Sequence, residues 1–352
     1  MPVKKFSLFL HKFTHWEYWP FDVVYFPMYF VWFYYAVRAR AFFFATAANP
    51  KIQNGGFLME SKKEIYDMLP ESSYPKTIKI KLGSTPEEIR HEIENFKLIF
   101  PLIAKPDIGL RGMAIQKLDT FEDVATYITK IKVDFLLQEY IDLPLEAGIF
   151  YVRIPGETFG KITGIVWKEF VIVEGNGVAS LRELIETNPR FHLQLTAMEK
   201  LYGSKLDHIP KRNEFINLVP YGNHARGSKF TDASSRINEK LTAFINSICT
   251  KVPEFYYGRL DIRFKSFEDL EDGKNYSVIE LNGAGSDPTH IYDPSHSIFF
   301  AWREIMRHFK YLYKISSLNM KAGIRCLTIT EGLSMLKANR AHIKKLKAFS
   351  DQ

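Results

Sequence analysis

Two short stretches decide the reading of this chain: Gly258-Arg259-Leu260-Asp261-Ile262-Arg263 and Val278-Ile279-Glu280-Leu281-Asn282. They fall in runs, 257–265 and 276–281, whose β-branched and apolar residues predict strands. Side chains two apart on a strand share a face, so Arg259 lies with Asp261 and Glu280 lies with Asn282. If the two strands are neighbours, three oxygen ligands and a guanidinium converge. Hard oxygen donors beside an arginine suit magnesium carrying substrate phosphates. A cross-strand salt-bridge patch is the alternative. The apolar neighbours Val278, Ile279 and Leu281 keep the metal reading level with it.

Upstream, residues 102–105 read as a short buried strand that delivers Lys105 to a loop containing Gly109, Arg111 and Gly112. A lysine offers a point charge to phosphate oxygens, the glycines let backbone N–H groups approach, and the arginine adds a fork. The GxxxxGK[ST] pattern of a Walker loop is absent. A strand over 136–141 ends in Gln138, Glu139, Tyr140 and Ile141. Its exposed backbone and the Glu139 carboxylate suit an adenine, and Glu146 can accept from ribose hydroxyls. An ordinary half-buried strand accounts for the same residues.

Around these stretches strands and helices alternate. Helices are expected at 61–69, 121–131, 180–186, 190–202 and about 235–250, and strands at 77–81, 148–153, 158–168 and 215–219. Thr85, Pro86, Glu87 and Glu88 supply a cap, a first-turn proline and two acids, which open a helix over 86–98. The tail is helical over 294–315 and 331–348. Its Lys337, Arg340, His342, Lys344, Lys345 and Lys347 read as a solvated face. Basic and aromatic residues are not interleaved there, which argues against nucleic-acid binding.

The front of the chain is different. Residues 16–44 hold 15 of the 52 aromatic residues. The uncharged run 23–37 is shorter than the roughly 20 residues of a spanning helix, and Pro27 is expected to kink or break it. No small-residue cleavage site marks a signal peptide. Lys4, Lys5, His11 and Lys12 precede the aromatic segment's core, and Arg38 and Arg40 follow it. Basic flanks around aromatic rings suit an anionic membrane surface. A buried hairpin or a homodimer interface would cover the same rings. The whole chain has 352 residues, a formal charge of +7 and 25% charged residues, an ordinary globular balance. Two cysteines, Cys249 and Cys326, form neither a disulfide framework nor a zinc site.

Taken in chain order, these stretches resemble the ATP-grasp superfamily from about residue 60 to 293. The D-alanine–D-alanine ligases and the ligase domains of cyanophycin and glutathione synthetases are nearest in pattern. Lys62, at the start of a helix, looks like the family's early ATP lysine and Lys105 like its second. Residues 107–113 look like the mobile phosphate cover. Glu139 and Glu146 fall at the spacing of the adenine-side and ribose-side acids. Arg259, Asp261, Glu280 and Asn282 match the R-x-D and E-x-N metal strands. Residues 174–185 and 222–228 are similar to further segments of the cyanophycin group.

The resemblance implies an α+β fold in which two subdomains clasp ATP. The chain then divides into an aromatic segment (1–54), a first subdomain (55–145), a second with the metal site (146–293) and a helical end (294–352). It implies an ATP-dependent carboxylate–amine ligase that forms an amide through an acylphosphate. Arg259 and Lys105 would serve catalysis. Lys62, Lys105, Gly109, Arg111, Gly112, Gln138, Glu139, Tyr140, Ile141 and Glu146 would bind ATP. Asp261, Glu280 and Asn282 would hold magnesium, with manganese as the alternative. His224, Arg226 and Ser286 are candidates for the substrate. The family begins with an α/β domain of some hundred residues, and here the aromatic segment stands in its place. The expectation is therefore a cytoplasmic ligase at the inner face of a membrane, acting on a cell-envelope, lipid-linked or amino-acid substrate. The rivals are a soluble peptide ligase that is dimeric through its front end, and a nucleotide-binding protein or kinase on the same fold.

Overall fold

The computed structural model describes residues 5–110, 112–219, 222 and 224–350. Helices α1 (Lys5–Thr14), α2 (Phe21–Ala39) and α3 (Lys62–Met68) come first. An α+β unit follows, with β1 (Thr77–Ile80), α4 (Pro86–Asn95), β2 (Leu102–Pro106), β3 (Gln116–Leu118), α5 (Phe121–Lys130) and β4 (Phe135–Glu139). Next come β5 (Leu145–Val152), β6 (Lys161–Glu169), β7 (Val171–Glu174), α6 (Leu181–Thr187), α7 (Pro189–His192) and α8 (Leu195–Tyr202). The second unit continues through β8 (Phe215–Val219), β9 (Lys229–Asp232), α9 (Glu239–Cys249), β10 (Tyr257–Phe264), α10 (Phe267–Glu271) and β11 (Tyr276–Asn282). Two long helices, α11 (Ile298–Lys321) and α12 (Ile329–Ser350), close the chain.

Capping boxes at Thr85 with Glu88, Thr120 with Asp123 and Ser180 with Glu183 fix where α4, α5 and α6 begin. The first sheet is antiparallel in the order β1-β4-β2-β3, and the second in the order β11-β10-β5-β6-β9. Each covers its own core, one around Leu102, Leu118, Tyr127 and Leu137, the other around Ile149, Leu260, Ile262 and Val278. The α+β class with a helical C-terminal region is as the sequence implies.

The two deciding strands are neighbours. Arg259 pairs with Asn282 and Asp261 with Glu280. The register then shifts, so that Ile262 faces Val278 and Ile279 is left over as a bulge.

Several elements depart from expectation. Helix α2 runs unbroken through Pro27. Within two turns of the helix start, that proline forfeits one backbone bond, and packing on α11 holds the rest. The Trp302 indole donates to the Val24 carbonyl at 2.8 Å, and Tyr35 stacks on Tyr313. The expected helix over 190–202 is two pieces, α7 and α8. Strands β3, β7 and β9 have three or four residues each, too few to show a period of two. Among the described residues no helix is long and apolar enough to cross a membrane.

Residues behind α2 enter the body. Phe44, Ala47, Ala48 and Asn49 are fully buried. The Asn49 amide donates to the carbonyls of Gly55 and Tyr257, and its oxygen accepts from the N–H groups of Tyr256 and Tyr257, all at 2.9–3.0 Å. Beside it the backbone of 55–56 lies against 283–285, and Gly285 N–H donates to Gly56 O at 2.7 Å. A Cβ on Gly56 would stand 2.6 Å from the Gly283 Cα, so glycine is required. Helix α12 starts beside Phe43, which bridges to Leu327, and ends with Leu346 in the first core. Its lysines are exposed as expected, but His342 is half-buried and donates to the Ile108 carbonyl at 2.6 Å.

Replacing Asn49 by alanine leaves four buried backbone groups without their partner. The expected loss is about 2–4 kcal/mol by denaturant titration. A change below about 1 kcal/mol would mean that water or relaxation replaces those bonds.

Candidate active site

The two sheets face each other across Lys105. It lies near the end of β2, is 4% exposed, and among the described residues no carboxylate pairs with it. Its ammonium donates to the Tyr66 hydroxyl and the Gln138 amide oxygen, both at 2.8 Å, and to the Ile279 carbonyl at 3.2 Å. The last acceptor is the residue that the bulge releases from the ladder. Burial pushes Lys105 down to about 7, with Glu280 opposing and Lys62 adding to the fall.

Asp107 sets the other lysine in place. Buried beyond the end of β2, it accepts from the Ser61 hydroxyl at 2.9 Å, the Lys63 N–H at 2.9 Å and the Lys79 ammonium at 2.7 Å. Ser61 also caps α3 by accepting from the Glu64 N–H. The helix start is thereby tied to the loop after β2, and Lys62 projects to Glu280, with which it forms an ion pair. A Cβ on Gly109 would lie 3.2 Å from the Lys62 side chain, so the loop backbone passes close over it. Gly112 has a φ of 73°, suited to its residue type. Arg111 lies outside the described residues.

On the second sheet Arg259 forks onto Asp261 at 2.8 and 3.2 Å. Lys168, from β6, reaches Asp261 at 3.1 Å and Glu146 at 2.9 Å. Arg263 approaches Glu146 from the other side at 3.4 Å. Gly148 makes this possible, since a Cβ there would meet the Asp261 oxygen at 2.9 Å and the Arg259 stem at 3.1 Å. Burial would raise the Asp261 carboxyl, but Arg259 and Lys168 outweigh it and hold it below its usual range. Glu280 is likewise held well below that range by Lys62 and Lys105 against the pull of burial. Lys62, Lys105, Lys168, Arg259 and Arg263 stand around the carboxylates of Glu146, Asp261 and Glu280, with Glu60 beside Lys62 and Asp287 beside Arg259 as further acids.

The structure therefore brings together Lys62, Lys105, Glu146, Arg259, Asp261, Glu280 and Asn282, with Gly109 alongside. Other expected residues have different surroundings. Gln138 points at Lys105 and Thr77. Glu139 is exposed where β4 ends. Tyr140 lies beyond that end, its ring 5.1 Å from the Lys117 ammonium, and the Ile141 carbonyl accepts from Arg263. His224 is paired with the buried Glu17 at 2.9 Å, and Arg190 holds the same carboxylate. Arg226 is half-buried in the same short turn. Ser286 donates to the Gly283 carbonyl. Tyr66, Asp107 and Lys168 escaped the sequence reading. Lys168 carried a signal, a charge at a strand position two residues beyond the buried Val166.

The donor set fits a hard divalent cation bound together with phosphates. Among the described residues no group of three His, Cys, Asp or Glu side chains is assembled for a metal. Asp261 and Glu280 supply two carboxylates, and the Asn282 amide nitrogen is buried without a partner. Asparagine oxygen and nitrogen are interchangeable in such an assignment, so the same side chain can turn its oxygen to a cation. With only these three ligands, phosphate oxygens would have to complete the shell, which suits magnesium.

Comparison with known families finds no match for the sequence, and comparison with characterised proteins finds none either. Among solved structures, a bifunctional glutathione synthetase from Pasteurella multocida is 14% identical over 68% of this chain and 34% of its own, with a TM-score of 0.36. The VanG D-Ala:D-Ser ligase from Enterococcus faecalis is 14% identical over 74% of this chain and 64% of its own, with a TM-score of 0.43. A D-alanine–D-alanine ligase from Bacillus anthracis is 11% identical over 78% and 72%, with a TM-score of 0.42. The chain thus spans a third of the first of these and just under two thirds of the second. The likenesses are partial, and the site rests on its own residues.

Lys105→Ala and Glu280→Gln are expected to lower magnesium-dependent ATP turnover about a hundredfold or more while circular dichroism stays native. Unchanged nucleotide affinity and turnover in both variants would overturn the assignment. Because Lys105 stands near 7 in the free protein, a bound phosphate must raise it, and binding takes up a proton. ATP affinity measured by calorimetry should therefore fall as pH rises from about 7 towards 9, by up to about tenfold per pH unit. Lys105→Met should bind more weakly and without that slope.

Proposed function

We propose that this protein is an ATP-dependent ligase that joins a carboxylate to an amine through an acylphosphate. The observation that carries the reading is the Asp261–Glu280 pairing, enclosed by Lys62, Lys105, Lys168 and Arg259 from both subdomains. Lysine and arginine side chains so placed can meet phosphate oxygens. Lys62 and Lys105, on the first subdomain, would hold the diphosphate that leaves. Asp261, Glu280 and Asn282 would hold magnesium or manganese, which when bound offsets phosphate charge.

The reaction balances without an enzyme nucleophile. A carboxylate oxygen attacks the terminal phosphorus, the bond to the bridging oxygen breaks, and ADP departs. The amine nitrogen then attacks the acyl carbon, loses a proton, and phosphate leaves with the original carboxylate oxygen. Arg259, whose guanidinium also donates to the Asp287 carbonyl at 3.2 Å, stands where oxyanion charge can be met. The 107–113 loop beside Lys62 would exclude water from the acylphosphate. The carboxylate and amine belong to an amino-acid, cell-envelope or lipid-linked precursor.

Screening carboxylate–amine pairs for ADP release, with mass detection of the amide, tests the activity. With the carboxylate labelled in both oxygens by ¹⁸O, one label should appear in the released phosphate for each amide formed. ATP hydrolysis that never yields an amide, or amide without label in phosphate, would sink the acylphosphate route.

A further inference from the structure

A helix that is apolar on every side is normally covered on every side. Helix α2 is covered on one face only, where Val24, Tyr25, Met28 and Ala36 are buried and Trp32 and Tyr35 pack on α11. The opposite face carries Val23, Phe26, Phe30, Phe33 and Val37, three or four residues apart and 52–68% exposed. At helical rise this stripe runs about 21 Å, and no charge stands between Asp22 and Arg38. Scattered exposed apolar residues are ordinary, but a continuous stripe of this size marks a contact surface.

The neighbouring helix gives the contact its charge. Helices α2 and α11 run side by side in the same direction, as Val24 meets Trp302, Trp32 meets Phe309 and Tyr35 meets Tyr313. On α11 the side away from the buried Ala301, Ile305, Leu312 and Ile315 shows Phe299, Arg303, Met306, Lys310 and Lys314, all exposed. The sole acid of α11, Glu304, is turned inward onto His290 and Arg307. Arg38 is exposed near the end of α2.

We propose that the outward faces of α2 and α11 form the docking surface for an anionic lipid bilayer. The rings of α2 sit at the boundary of headgroups and acyl chains, and the cations of α11 and Arg38 meet headgroup phosphates. A second copy of the chain is the weaker fit. A self-paired face would oppose Arg303, Lys310 and Lys314 to the same residues with no acid between them, and like charges disfavour that contact.

The test is sedimentation of the full chain, prepared without detergent, with phosphatidylcholine vesicles containing or lacking phosphatidylglycerol. Binding should be about tenfold or more stronger to the anionic vesicles and should weaken with salt. Two double variants, Phe30→Glu with Phe33→Glu and Arg303→Glu with Lys310→Glu, should each lose about tenfold or more. The second touches only exposed charges, so its fold is kept even if the first misfolds. Equal sedimentation with and without anionic lipid would overturn the proposal. So would a chain that ignores vesicles and is dimeric by ultracentrifugation. Binding is read without ATP, so its outcome is independent of the ligase chemistry.

Discussion

A carboxylate sealed inside a protein stays ionised only if cations stand against it, and Asp261 has two. Arg259 forks onto it from its own strand and Lys168 reaches it from β6. Removing either would leave charge uncompensated in a dry place, which costs more than the pair contributes. Much of the second sheet follows from this. Gly148 has to lack a side chain, β5 has to run between β10 and β6, and Glu146 has to share Lys168 with Asp261.

The first subdomain answers with a different device. Lys105 faces neutral acceptors instead of a carboxylate, and burial weakens its hold on a proton. The ion pair of Lys62 with Glu280 is the direct charge contact described between the lobes at this point. That pair draws α3 and β11 together. An incoming phosphate and its cation would exchange partners with Lys62 and Glu280, with little net loss of pairing.

Strand alternation made Arg259, Asp261, Glu280 and Asn282 legible, because a period of two survives in any sheet. The pairing of their strands was not legible from alternation, since it depends on long-range register. The bulge at Ile279 was invisible for the same reason, and with it the carbonyl that meets Lys105. Tyr66 and Asp107 act by reaching across the chain, and nothing in their neighbours' sequence marks them. Residues 1–54 read as one aromatic segment but have two roles in the fold. Helix α2 turns a face outward, while 43–49 are packed inside. Composition could not separate them, because the same apolar residues serve in both places.

Helix α12 joins at one end to Phe43 and Leu327, beside the second subdomain, and at the other enters the core of the first. The link between β4 and β5 joins the two sheets as well, and so does α3, whose Ile65 and Tyr66 lie in the second core before the chain enters β1 of the first. Each added tie removes a direction in which the two sheets could move apart. His342, on α12, donates to the loop that passes over Lys62. The loop at Ile108 is thereby tied on one side to α12 and on the other, through Asp107, to the start of α3.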